Sequence, residues 1–216
     1  MAATPRRAAV HPGPMPNDNA TRNPGGRRQH VLDALVRHGL SERAAQALYR
    51  LGLLLRRRML QATAPALPVE HAGMVDAQTG RRYGVIAIGV HRSVDVASQL
   101  QAAHGHHAAS VHTHPGNSSF SPDDVQLLLE EAVLDVVAVV GADGAWYVLS
   151  AVPGALAPLV ALIRPLYDAT VHTLLPAYQA LVYTGSLTEE QAWRELTHRT
   201  WQTLAPAFHL RYDRLT

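Results

Sequence analysis

Cysteine is absent from this 216-residue chain, and so is lysine. Without cysteine there are no disulfides, no thiolate metal sites and no cysteine nucleophile. Any metal ion must therefore be held by His, Asp or Glu. Without lysine, no side chain can carry an isopeptide-linked tag, and all 19 basic residues are arginine. No apolar run approaches the roughly 18–20 residues of a membrane span. The first residues also lack the apolar core that a secretory signal requires. A soluble, cytoplasmic chain that does not enter a membrane is expected. Aromatic residues make up only 6% of the chain, yet hydrophobic residues reach 47%, ample for a sizeable core.

The net charge of +2 hides an asymmetry. Residues 1–62 hold 11 Arg against Asp18, Asp33 and Glu42, giving +8, whereas residues 63–216 carry −6. Residues 1–28 are rich in Pro, Arg, Asn and Gly with no apolar periodicity, which predicts a basic arm without fixed structure. Residues 29–66 read as helices and a linker. His30–His38 is stopped by Gly39, and Ser41 caps Glu42–Leu60. Arg56-Arg57-Arg58 near that helix end suits the dipole.

From residue 67 to 152 short strands alternate with helices. Glu70–Ala77 and Tyr83–Val90 are apolar-rich runs joined through Gln78-Thr79-Gly80, a hairpin signal. Ser93–Gly105 reads as a helix, Ala108–His114 as a strand and Pro122–Glu131 as a helix. Leu134–Val140 and Ala145–Ala151 are joined by an Asp143-Gly144 turn. The fold class is α/β, a compact mixed β-sheet flanked by helices, with N-terminal and C-terminal helical extensions. Residues 153–216 read as wholly helical. Leu156–Tyr183 is broken into pieces by Pro165 and Pro176, and Ser186-Leu187-Thr188-Glu189 forms a capping box. Trp193, Leu196, Trp201 and Leu204 then dock against the core.

The chemistry concentrates in Val111-His112-Thr113-His114-Pro115-Gly116-Asn117-Ser118-Ser119-Phe120-Ser121-Pro122-Asp123-Asp124. Side chains two apart on a strand share a face, so His112 and His114 reach one point together. Asp124, in the first turn of the next helix, closes a third side. Two imidazoles and a carboxylate with a fourth position left for water suit a catalytic zinc ion. Ser121-Pro122-Asp123-Asp124 is by itself an ordinary helix start. The information lies in its conjunction with His-x-His-Pro. Asp123 is turned about 100° from Asp124 and is expected to face solvent or support a ligand. Asn117, Ser118 and Ser119 shape the intervening loop. His104, His106 and His107 read as a surface loop, and His71 faces away from the site.

His112-Thr113-His114-Pro115 followed by Ser121-x-x-Asp124 resembles the signature of the JAMM (MPN-plus) metalloproteases, zinc isopeptidases that include deubiquitinating enzymes and bacterial relatives. The resemblance covers about residues 67–150. Six residues, Pro115 to Phe120, separate the second His from the Ser, where the family usually has seven. It implies a JAMM/MPN-like, cytidine-deaminase-like sheet and one zinc held by His112, His114 and Asp124. It further implies Ser121 as oxyanion donor, an upstream glutamate as general base, and a peptide or isopeptide amide as substrate, ubiquitin-like proteins included. Glu70 is the only Glu between residues 43 and 129 and stands where that base is needed. Two readings of other classes stand beside this one. The first is a non-catalytic MPN-type scaffold; a variant of the main reading keeps the metallohydrolase and makes the flanking helices a targeting or assembly module for a larger complex. The second is a nucleic-acid partner for the Arg-rich first third, although only Tyr49 supplies an aromatic there.

Overall fold

The computed structural model describes residues 24–61, 68–90, 93–152 and 160–216. Six strands form one mixed sheet in the order β2-β1-β3-β4-β5-β6. They are β1 (His71–Asp76), β2 (Arg82–Ile88), β3 (Ala108–His114), β4 (Leu134–Gly141), β5 (Trp146–Ala151) and β6 (Leu210–Leu215). Only β3 and β4 run parallel, and the other neighbours are antiparallel. The helices are α1 (Pro24–Arg37), α2 (Glu42–Leu60), α3 (Ala97–Ala103), α4 (Pro122–Glu130), α5 (Ile163–Tyr183) and α6 (Glu189–Leu204).

The alternation of side chains along each strand divides the core into two layers. Val111, Val136, Ala138, Val140, Trp146 and Val148 face α1 and α2, where they meet Val31, Leu35, Leu48, Leu51 and Leu55. Val137, Val139, Tyr147 and Leu149 face the other way, onto Phe120, Val125, Leu128, Tyr167 and Trp201. The central strands β3 and β4 are therefore buried on both sides, which explains their nearly continuous apolar runs. Both hairpins form as expected, with Gly80 and Gly144 at positive φ in their turns.

Several expected boundaries are corrected. Helix α1 begins at Pro24, so residues 24–28 are helical rather than part of the arm, and residues 1–23 lie outside the described residues. Most of the expected linker, residues 62–67, also lies outside them. The helix expected from Ser93 begins only at Ala97, and Ser93 instead bridges Val90.

Helix α5 is continuous from Ile163 to Tyr183 and runs through Pro176. Pro165 falls in its first turn, where a backbone N–H has no intrahelical partner in any case. Helix α6 starts two residues later than expected. Thr188 is its N-cap, in a reciprocal pair with Gln191. Ser186 instead belongs to the end of α5, with its N–H on the Leu181 carbonyl at 2.9 Å and its hydroxyl 3.0 Å from Thr184 Oγ1.

The C-terminal region is not wholly helical, since β6 completes the sheet edge. Leu210 and Leu215 are buried, and Arg214 makes a two-point pair with Glu195 at 2.7 and 2.8 Å. Of the arginines near the end of α2, Arg56 has a structural task. Its guanidinium donates to the Ala142 carbonyl at 2.7 and 3.0 Å. Among the described residues no helix is long and apolar enough to cross a membrane.

His38, just beyond α1, ties that helix to the far strands. Its ring lies 2.8 Å from Ser150 Oγ and 3.3 Å from Asp213 Oδ2. Burial pushes its pKa down to about 4, outweighing the pull of the Asp213 carboxylate. The unfolded chain therefore takes up a proton near pH 6.5 that the folded chain refuses until about pH 4. Stability must rise with pH across that window. At pH 5 the contribution of His38 is a loss of about 2 kcal/mol relative to neutral pH. Thermal melts at pH 7 and pH 5 should show a smaller acid loss for His38→Gln than for wild type. An identical loss in both would remove His38 from the acid response.

Candidate metal centre

Strand β3 delivers His112 and His114 to the face covered by α4, both almost completely buried. Their Nε2 atoms lie 3.0 Å apart. Helix α4 opens at Ser121 and brings Asp124 to the same point, with Oδ1 3.1 Å from His112 Nε2 and Oδ2 3.7 Å from His114 Nε2. Glu70, immediately before β1, places Oε1 4.0 Å from His114 Nε2. The four residues that the sequence pointed to as ligands and base are thus brought together. Ser121 joins them at the rim.

Hydrogen bonds around the centre orient its members. The Ser118 carbonyl lies 3.1 Å from His114 Nδ1 and accepts its N–H, which leaves the Nε2 lone pair facing the centre. Asp124 and Ser121 form a capping box. Asp124 Oδ2 accepts from the Ser121 N–H at 2.7 Å and from its hydroxyl at 2.8 Å, while Ser121 Oγ accepts from the Asp124 N–H. Asp124 Oδ1 is then left to the centre. The Ser121 proton is committed to Asp124 in this arrangement, so donating to a substrate oxygen requires the hydroxyl to turn away from Oδ2.

The residues fit a zinc ion. Three acceptor atoms, two imidazole nitrogens and a carboxylate oxygen, converge with little between them. Among the described residues His112, His114 and Asp124 form the group able to hold a metal, with ligand atoms within 4.8 Å of one another. A tetrahedral zinc with bonds of about 2.0–2.1 Å places its ligand atoms roughly 3.3–3.4 Å apart. The His112–His114 separation of 3.0 Å and the His112–Asp124 Oδ1 separation of 3.1 Å lie close to that value, and the third falls within the 4.8 Å span of the group. A single proton on His112 can satisfy one of these contacts well, whereas a divalent cation satisfies all three.

The electrostatics are those of a coupled, dry cluster. Burial would lower His112, but Asp124 and Glu70 raise it above the ordinary histidine value. Burial and the neighbouring His112 push His114 down to about 4. Asp124 is held well below the usual carboxylate range because His112, His114 and the Ser121 hydroxyl overcome its burial. Glu70 moves the other way. Burial pushes it up to about 7, with His112 pulling against the shift. A carboxyl group poised near neutral pH is suited to exchange a proton.

The centre opens into a groove of about 790 Å³. Its walls include Val94, Val96, Leu100 and Leu127, with Trp193 of α6 on the rim. Trp193 was expected to dock against the core, but it is 48% exposed, and Trp201 is the one that is fully buried. Asp123 is exposed and pairs with Arg164, consistent with its expected orientation away from the ligands. His106 and His107 are exposed, and His107 pairs with Asp135 at 3.0 Å. His71 is buried, with its ring on the Val69 carbonyl rather than in the groove.

No local pattern signals that α6 clamps the loop between His114 and Asp124. The Ser119 N–H donates to Thr197 Oγ1 at 3.2 Å, and Trp201 Nε1 donates to the Phe120 carbonyl at 2.6 Å. Asn117 adopts a left-handed conformation at φ 58° and donates to Glu190 Oε1 at 2.6 Å. A Gly116-Asn117 pair is compatible with that conformation, but its distant partner could not be read from it. Compared with family models, curated proteins and solved structures, the chain matches none.

Proposed function

We propose that the chain is a zinc-dependent hydrolase of the JAMM type that cleaves a peptide or isopeptide amide bond. One observation carries this reading. His112, His114 and Asp124 converge at the floor of an open groove, with a protonatable Glu70 beside them. The order of ligand types along the chain, and the placement of Asp124 in the first turn after the Ser121 cap, support the JAMM assignment. A zinc ion bound there supplies Lewis acidity and lowers the pKa of a bound water from about 16 toward about 7.

The chain's own residues account for the remaining chemistry. His114, held by the Ser118 carbonyl, and Asp124, held by Ser121, present fixed donor atoms with little reorganisation. Glu70 takes a proton from the attacking water and hands it to the departing amine. Burial keeps its carboxyl group basic enough for the first transfer and acidic enough for the second. The Ser121 hydroxyl donates to the oxygen of the tetrahedral species once it has turned from Asp124. The apolar walls and Trp193 bind the segment flanking the scissile bond. Protein or peptide substrates, ubiquitin-like tails among them, follow from the resemblance, as does a cytoplasmic location.

The test is chelator-sensitive cleavage by the zinc-loaded chain. Suitable probes are a mixture of fluorescence-quenched peptides and a peptide branched through a lysine isopeptide bond. Cleavage that stops on chelation and returns with zinc supports the reading. A chain holding one zinc that cleaves no amide probe contradicts it. In the same assay Ser121→Ala should slow turnover by about 10²-fold, the effect of losing one oxyanion donor, while zinc stays bound. An unchanged rate would reduce Ser121 to a helix cap.

A further inference from the structure

We propose that Asn117 is a positioning residue for this metal centre and that Glu190 of α6 holds it in place, making the C-terminal helix part of the zinc site. The inference rests on the metal-binding reading above and assigns a role to two residues outside the ligand set.

The loop that joins His114 to α4 has to reverse the chain and return Asp124 to the histidines within a few residues. Asn117 makes the reversal with φ 58°, a conformation disfavoured for most L residues. It is buried, and every polar group of the residue is engaged. Its Nδ2 donates to Glu190 Oε1 at 2.6 Å, and its Oδ1 accepts from the Asp143 N–H at 2.8 Å. Its N–H donates to the His114 carbonyl at 3.2 Å, and its own carbonyl accepts from the Tyr147 hydroxyl at 3.3 Å. The side chain thus bolts the loop to two elements far away in sequence, the β4–β5 turn and α6.

The next residue is Ser118, whose carbonyl holds His114 Nδ1, with Ser118 Oγ also 3.2 Å from that nitrogen. The carbonyl fixes both the tautomer and the ring angle of a ligand. A two-residue segment with one end free would let that carbonyl swing. With Asn117 fixed at both ends of its amide, the carbonyl cannot leave without breaking the short bond to Glu190. Removing a group that orients a ligating imidazole weakens metal affinity by about 10–100-fold. Glu190 touches no ligand and acts only through Asn117. Its contribution is therefore to preorganisation.

The experiment measures zinc affinity of the full chain by competition with a chromophoric chelator, beside the melting temperature of the metal-free proteins. Glu190→Ala and Asn117→Gly, the latter keeping the backbone conformation accessible, are each expected to weaken zinc binding about tenfold or more. Glu190→Gln keeps the acceptor oxygen and should restore affinity to near the wild-type value. Metal-free Glu190→Ala should melt within about 4 °C of wild type, the shift expected from one lost hydrogen bond in a chain of this size. Affinities of Glu190→Ala and Asn117→Gly within about twofold of wild type would overturn the inference and leave the metal site standing, as would a loss that Glu190→Gln fails to restore. A wild-type chain that binds no zinc would overturn both.

Discussion

Glu70→Gln should bind zinc as wild type does and lose amide hydrolysis by about 10²–10⁴-fold, the usual contribution of a positioned general base. The substitution changes little but the ability to take a proton. Glutamine has the same shape, and the 4.0 Å separation from His114 leaves the ligand set untouched. The pH dependence adds a second signature. In the chain without a cation, burial raises Glu70 to about 7. A bound divalent ion favours the ionised carboxylate and moves that value downward. The wild-type rate should therefore be full above about pH 7 and fall as pH drops and Glu70 becomes protonated. That acid limb should be missing from the residual activity of Glu70→Gln. Metal analysis and a pH–rate profile check both parts. A variant with the wild-type rate would remove Glu70 from the mechanism.

Trp201→Ala should be the most damaging single truncation in the C-terminal region. The side chain is completely buried in the layer beneath α6, with its ring 5.3 Å from that of Tyr167. Its Nε1 donates to the Phe120 carbonyl at 2.6 Å, two residues before the helix whose first turn carries Asp124. Truncating a buried Trp costs about 3–5 kcal/mol through lost contacts and the cavity left behind. In a chain of this size that lowers the melting temperature by roughly 6–20 °C. Trp201→Phe keeps most of the packing and leaves the Phe120 carbonyl unpaired, so a smaller loss of about 1–3 kcal/mol is expected. Thermal melts of the two variants separate packing from hydrogen bonding. A Trp201→Ala chain that melts with wild type would mean α6 does not support the core.

The parts of the molecule legible in the sequence are those fixed by local rules. His112 and His114 share a face because β3 is a regular strand, and its limits, Ala108–His114, agree with the expected run. Asp124 falls in the first turn of a helix because Ser121, Pro122 and the two acids form a local helix start. The hairpins announced themselves through Gly80 and the Asp143-Gly144 pair. What stayed hidden depends on contacts distant in sequence. Strand β6, Leu-Arg-Tyr-Asp-Arg-Leu, is short, charged and breaks polar–apolar alternation at Asp213-Arg214, so pairing with β5 and the Arg214–Glu195 bond define it. Helix α5 runs unbroken through Pro176 and packs against α6, a neighbour that residues 163–183 do not announce. Asn117 and Glu190 are 73 residues apart, and nothing near either one signals the other.

The proposed chemistry requires a metal held by His112, His114 and Asp124, and the most direct measurement is zinc content. Wild type and His114→Ala should be purified side by side, reconstituted, freed of loosely bound metal and analysed for zinc. One zinc per chain in wild type and its loss from His114→Ala is the predicted result. A wild type that takes up no zinc, or a His114→Ala chain that keeps a full equivalent, would contradict the assignment of this centre.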